Sequence, residues 1–363
     1  MLVRGAIVDS EGTRTGYARI EQGEVVETGQ SGTDSTHGRT RAIRGIVLPR
    51  GVNGHTHLGD AAYGREPPDA PLAELVRPPS GLKFRILSET PASVKRRAIR
   101  AALQAMVRES VAAVIDFREE GVPGVELLRS AAAHVPLRVV ALGRPLGRPV
   151  VATELGALLD CSDGVGLSSA LEDDAATRSS IARSCHDRGK LFALHASEER
   201  REEPDDYLVP RPDLLVHLTC ATDDDFKRVA AEGVRVAVCP RSNALFGRRP
   251  NLAGMHRAGV RAILGTDNGM FHAPSMFREL EFAYVSNRLA RQPVPPDYLV
   301  RAAFIEPWLL LGEPARARIE PGTKDPLVLR LPTEDPTYQI VSRATAHLIV
   351  PTRRPEHRRT NER

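Results

Sequence analysis

Ile46-Val47-Leu48-Pro49-Arg50-Gly51-Val52-Asn53-Gly54-His55-Thr56-His57 is the stretch on which the fold turns. A short apolar run leads into two histidines one residue apart. Side chains of an extended segment alternate faces with a period of two, so His55 and His57 point the same way. Neutral imidazole is the commonest protein ligand for a transition metal such as zinc. The pair therefore reads as half of a metal site whose other ligands come from further along the chain. A His-x-His also occurs by chance on strand faces, so alone it proves little.

Three later segments add weight. Leu191-Phe192-Ala193-Leu194-His195 and Leu214-Leu215-Val216-His217 are apolar runs that stop on histidine. Ala262-Ile263-Leu264-Gly265-Thr266-Asp267 stops on a carboxylate. A core histidine satisfied by hydrogen bonds explains any one of these, but it explains four such strand ends poorly.

From Gly45 the rhythm is strand then helix. Candidate strands lie near 46–52, 111–116, 137–142, 163–168, 191–195, 213–217, 234–239 and 261–266, with helical patterns such as Ser93 to Ser110 and Ala175 to Arg188 between them. Most of these strands are continuous apolar runs, as expected of parallel strands buried on both faces. Eight strand–helix units over roughly 250 residues is the size of a (β/α)8 TIM barrel. A doubly wound open sheet is the alternative. The barrel is preferred because ligand candidates follow its first, fifth, sixth and eighth strands, which surround one mouth. No Gly-x-Gly-x-x-Gly follows a strand to suggest a dinucleotide.

Both ends of the chain look different. Residues 1–45 hold short alternating runs at Ala6-Ile7-Val8, Gly16 to Ile20 and Glu24 to Glu27, with a polar, loop-like Thr33 to Arg44. Residues 317–350 return to short β runs, Pro326 to Leu331 and Tyr338 to Val341. The expected organisation is one small β-sandwich built from 1–45 and 317–350, a barrel over 46–316 that closes with a helix at Pro295 to Gly312, and a basic tail, 351–363. Asp60 to Ser88 is rich in Pro and Gly and long for a connection, so it reads either as a lid over the mouth or as plain surface variation.

At 363 residues and 41% hydrophobic composition the chain can bury a large core. Fifty basic residues nearly balance 46 acidic ones. No nucleic-acid motif accompanies the Arg bias, and no apolar run approaches a membrane span. Cys161, Cys185, Cys220 and Cys239 form no C-x-x-C pair and read as reduced thiols of a cytoplasmic protein. A small-molecule substrate is the expected partner, with neither nucleic acid nor membrane; homo-oligomerisation stays open.

His55-Thr56-His57, His195, His217 and Asp267, in that order, resemble the amidohydrolase superfamily. Val47 to His57 is similar to the family's lead into its first strand, and Ile319 to Pro326 to its return to the sandwich. The resemblance implies a metal-dependent hydrolase on a (β/α)8 barrel. His195-Ala196-Ser197-Glu198 further resembles the branch of adenosine and cytosine deaminases and chlorohydrolases, in which one metal suffices. Gly143-Arg144-Pro145 and Leu167-Ser168-Ser169 offer none of the bridging Lys or Glu of the two-metal branches.

On that resemblance His55, His57, His195 and Asp267 hold one divalent ion. Zinc is the default, and iron remains open because imidazole-rich sites accept several metals. A divalent ion lowers the pKa of a bound water from 15.7 to about 7. Asp267 would take the proton of that water. His217 would hydrogen-bond the nucleophile or the developing oxyanion, or else serve as a ligand. Glu198 would protonate a ring nitrogen and pass a proton to the departing amine; read alone, it is a surface carboxylate in an acidic run with Glu199, Glu202 and Glu203. Cys239-Pro240-Arg241-Ser242-Asn243 resembles the Cys-Pro-x-Ser-Asn of deaminases, making Arg241 and Asn243 substrate-binding candidates. Glu119 and Arg118, at the end of the second strand, are candidates facing the mouth, and Asn268 and His272 are candidate supports.

The reaction expected is hydrolytic removal of an amino or similar group from a C=N carbon of a small heterocycle. Hydrolysis of an amide, cyclic amide or other non-peptide C–N bond is the second reading, and a non-catalytic metal-binding barrel the third.

Overall fold

Two sheets share the chain, and the break between them falls inside the stretch that leads to the first histidines. The computed structural model describes residues 1–30 and 42–353. The small sheet contains β1 (Leu2–Asp9), β2 (Gly12–Glu21), β3 (Glu24–Gln30), β4 (Ala42–Leu48) and, from the other end of the chain, β14 (Leu327–Leu329). Its order is β14-β4-β1-β2-β3, and every pairing except β1 with β4 is antiparallel. Val3, Ile7, Ala18, Ile20, Val47 and Val328 give it a core of its own.

The second sheet is all parallel. It holds β5 (Gly51–His57), β6 (Val111–Arg118), β7 (Arg138–Gly143), β8 (Gly164–Leu167), β9 (Leu191–Ala196), β10 (Leu214–His217), β11 (Arg235–Val238), β12 (Arg261–Leu264) and β13 (Asp267–Asn268). Neighbours follow chain order from β5 to β12, and β13 pairs with β5. β12 and β13 are two parts of the eighth strand, so this last pairing closes the ring: the chain is a (β/α)8 barrel with a small β-sheet domain built from both termini.

Closure depends on small groups. The Gly265 N–H donates to Val238 O (3.0 Å) and the Thr266 N–H to His55 O (3.0 Å). Buried Asn53 takes Thr266 at both ends, accepting from its N–H (3.0 Å) and donating to its Oγ1 (2.7 Å). A Cβ on Gly265 would lie 2.7 Å from the His55 backbone nitrogen. Inside the ring Phe117, Leu142, Leu214, Val216 and Ile263 are fully or nearly fully buried, so the barrel is a packed core and not a pore.

Three expectations are corrected. The strand expected near 46–52 is two strands: Ile46–Leu48 belong to the small sheet, and the barrel opens at Gly51. Pro49, which cannot donate to a ladder, sits at the break. Tyr338 to Val341, expected as a β run, lie in a helix, Pro336–Arg343. Pro336 suits a first helical turn, and Gln339, Ile340 and Val341 are buried as the helix packs on the helices Met276–Leu289 and Pro296–Phe304. The 60–88 stretch is not plain loop; it carries a 3-10 turn at Leu58–Ala62 and helices Leu72–Val76 and Leu82–Glu89. Most of the polar Thr33 to Arg44 stretch and most of the basic tail lie outside the described residues.

Candidate active site

His55 and His57 stand on β5 with Thr56 between them facing the other way, where its hydroxyl donates to Asp116 Oδ1 (2.9 Å). His195 lies on β9, His217 ends β10 and Asp267 opens β13. All five meet at the C-terminal end of the strands. The turns that aim them use uncommon backbone: Ser197 (φ +47°), His217 (+74°), Leu218 (+50°) and Asp267 (+61°) all occupy the left-handed region. Non-glycine residues rarely adopt it, and such strain concentrates at functional sites.

The donor atoms converge. His195 Nε2 is 3.3 Å from His55 Nε2 and 3.4 Å from His57 Nε2. Asp267 Oδ1 is 3.4 Å from His55 Nε2 and 3.7 Å from His57 Nε2. Two rings have their tautomer set from behind. His57 Nδ1 faces Phe117 O (3.1 Å) and Glu119 Oε1 (2.7 Å), and His195 Nδ1 faces Leu167 O (2.8 Å). These acceptors require the proton on Nδ1, which leaves lone pairs on the two Nε2 atoms, aimed at each other. Lone pairs in that arrangement repel unless a cation lies between them. A tetrahedral ion with metal–nitrogen bonds of about 2.1 Å separates its ligands by about 3.4 Å. The observed spacings match, so His55, His57, His195 and Asp267 fit a divalent metal.

Electrostatics agree. Burial lowers the His55 pKa, and burial with the neighbouring imidazoles holds His195 well below the usual value. Burial and Lys83 bring His57 to about 4 despite Glu119. All three are therefore neutral, as ligation requires. Burial alone would raise the Asp267 carboxyl, but the facing imidazoles of His55 and His217 hold it well below the usual range.

His217 is arranged differently. Its Nδ1 faces the Asn243 Nδ2 amide at 3.3 Å, and its Nε2 faces Glu198 Oε1 at 3.3 Å. The Glu198 main-chain oxygen accepts from Thr219 Oγ1 (2.6 Å) and Arg248 Nη1 (3.1 Å), which fixes the turn that carries it. Burial, Asp267 and Glu199 push the Glu198 pKa up to about 8. Glu198, Glu199 and Glu202 all line the cavity, but of these only Glu198 reaches His217; Glu199 pairs with Arg77, Glu202 Oε2 accepts from the Ser197 N–H (3.1 Å), and Glu203 pairs with Arg201 in solvent.

A cavity of about 390 Å³ opens over this cluster. It is lined by His57, His195, Glu198, His217, Asp267 and Asn268, by Leu72, Val76, Lys83 and Phe84 from the 60–88 stretch, and by Ser168, Ser169 and Leu171.

Some expected residues stand elsewhere. Arg241 does not line the cavity: its guanidinium lies 3.5 Å from buried Glu279. Asn243 meets His217, not the cavity. Glu119 lies behind His57, enclosed by Lys83 and Arg118, and Arg118 is itself buried against Asp116 (3.3 Å). Among the described residues, no side chain partners either ring nitrogen of His272. Sequence reading missed Lys83, whose signal was a lysine in a chain that elsewhere prefers arginine. It also missed Ser242, which donates to Asp267 Oδ2 (2.6 Å).

The fold and donor set define a hydrolase barrel able to hold a metal. The chain belongs to the amidohydrolase family, whose model matches residues 46–329. It is 34% identical over 333 residues, 86% of each chain, to a Methanothermobacter thermautotrophicus protein named as a candidate aminohydrolase. Among solved structures it superposes on a zinc-bound adenosine deaminase from Xanthomonas campestris (TM-score 0.74, 18% identity, 96% of this chain and 90% of that one). It also superposes on a zinc-complexed atrazine chlorohydrolase from Arthrobacter aurescens (TM-score 0.73, 18% identity, 98% and 96%). Among the described residues no helix is long and apolar enough to cross a membrane.

Proposed function

We propose that the protein is a hydrolytic deaminase acting on an amino-bearing C=N carbon of a small heterocycle, with one divalent ion, zinc by default, held by His55, His57, His195 and Asp267. The observation that carries this reading is Glu198: a half-buried carboxyl at the cavity surface, its side chain 21% exposed, with its pKa raised to about 8, 3.3 Å from His217 Nε2 and beside the convergent donors. Such a group holds a proton at neutral pH and can deliver it to substrate.

Bound at these donors, the ion supplies Lewis acidity and an acidified water. Asp267, whose Oδ1 faces the ligand histidines, would take the water proton on its carboxylate, while the Ser242 hydroxyl on Oδ2 keeps the group from rotating. With the Asn243 amide donating to Nδ1, the His217 proton sits on Nε2, where it can hydrogen-bond the attacking oxygen. This supports His217 as a donor and not a ligand. Glu198 protonates the ring nitrogen as the C–O bond forms. The proton of the newly added hydroxyl, relayed through Glu198, then leaves with ammonia as the C–N bond breaks and the carbonyl product forms, and the proton held by Asp267 returns Glu198 to its acid form. The apolar wall of Leu72, Val76 and Phe84 suits a flat ring. Four free cysteines favour a cytoplasmic setting.

The test is ammonia release from a panel of aminated purines, pyrimidines, pterins and imidazoles by zinc-loaded protein, with the metal counted. Release at one ion per chain supports the reading. A full metal site with no ammonia and a ring-opened product transfers the assignment to cyclic amide hydrolysis. A chain that takes no metal refutes both.

A further inference from the structure

Lys83 and Glu119 form a buried link between the 60–88 stretch and the candidate metal site. Lys83 projects from the helix Leu82–Glu89, and its side chain and that of Glu119 are each only 4% exposed. Glu119 follows β6. One carboxylate oxygen meets His57 Nδ1 at 2.7 Å and the Lys83 ammonium; the other meets the Arg118 guanidinium. The His57 ring proton already has an acceptor in Phe117 O, 3.1 Å away. The carboxylate is therefore not required merely to satisfy that N–H. A carboxylate behind a ligating histidine fixes the ring and makes its other nitrogen more basic. Lys83 fixes the carboxylate in turn, so the 60–88 stretch contributes to the ligand set without touching it.

We propose that Glu119 and Lys83 are positioning residues that act in series on His57, so that the helix Leu82–Glu89 tunes metal affinity through one buried ion pair. This rests on the metal reading above. It makes Lys83 a cavity wall on one side and a support for the metal site on the other. Zinc binding and the seating of the 60–88 stretch are thereby coupled.

The test measures zinc affinity of the full chain by competition with a chelating dye, together with the visible spectrum of the cobalt-loaded protein. Glu119→Gln, nearly isosteric, is expected to weaken zinc binding about 10–100-fold and to shift the cobalt bands. Lys83→Met is expected to weaken it in the wild-type background and to add nothing in the Glu119→Gln background. Lys83→Arg, which keeps the charge, should restore most of the affinity. Single variants that bind like wild type, or losses that add in the double variant, overturn the proposal. Should Lys83→Met fail to fold, the other two variants decide: weak binding in Glu119→Gln with retention in Lys83→Arg supports it, and tight binding in Glu119→Gln overturns it. A wild-type chain that takes no zinc refutes the proposed function itself, and this inference falls with it; a wild-type chain that binds zinc beside indifferent variants refutes this inference alone.

Discussion

Gly265→Ala should damage barrel closure and the metal site together. A methyl group there would sit 2.7 Å from the His55 nitrogen and Cβ and 2.8 Å from its oxygen, against an ordinary contact of 3.4 Å or more. The shortfall is about 0.7 Å, and two of the three atoms are backbone, so no side-chain rotation relieves it. Overpacking of this kind costs about 1–3 kcal/mol. Separating the strands also stretches the hydrogen bonds from Thr266 N to His55 O and from Gly265 N to Val238 O, each worth about 1 kcal/mol. A total of about 3–5 kcal/mol is expected if both bonds are lost. His55 Nε2 would move by a similar distance from His195 and Asp267, whereas metal–ligand distances tolerate about 0.2 Å. Zinc affinity should fall about tenfold or more. Urea unfolding of the chelator-treated protein reads the first effect, and dye competition for zinc the second. Gly156→Ala is the control. Its Cβ would meet nothing nearer than 3.8 Å, and it lies within the helix Ala152–Cys161, so it should stabilise by about 0.5–1 kcal/mol. If Gly265→Ala unfolds at the wild-type urea concentration and binds zinc as tightly, the closure argument is wrong.

Other expectations follow from single residues. Glu198→Gln should lower kcat about 10²–10⁴-fold while zinc content stays at the wild-type level; unchanged turnover would remove Glu198 from the mechanism. Glu198 is protonated below a pKa of about 8 and loses its proton above it, so kcat/KM should decline on the alkaline side of about pH 8, and a profile flat to high pH would refute its role as donor. Arg241→Ala should leave KM unchanged, because the side chain does not line the cavity, but should lower the urea midpoint by removing the guanidinium beside Glu279, which keeps only the main-chain N–H of residue 241. A raised KM with unaltered stability would restore Arg241 to the substrate-binding set.

What could be read from the chain itself was local and repetitive. Buried parallel strands are apolar runs, and the runs that reach His195 and His217 mark their own ends. The period of two puts His55 and His57 on one face before any packing is known. Eight such runs with helices between them suit a barrel or a doubly wound sheet, and ligand candidates after the first, fifth, sixth and eighth strands favour the barrel, which gathers strand ends at one mouth. Tertiary structure decided everything that depends on which distant groups meet. Tyr338 to Val341 are four residues, too few to separate a period of two from one of 3.6, and packing on neighbouring helices made them helical. Ile46–Leu48 left the barrel for the small sheet because β1 and β14 offered partners on either side of them. Arg241 turned to Glu279, and Glu119 to Lys83 and His57, because a buried charge is costly without a partner and the fold supplied one nearby. Such pairings join residues tens to hundreds of positions apart. Pattern along the chain records how each segment is buried, but not which side chain waits on the other side.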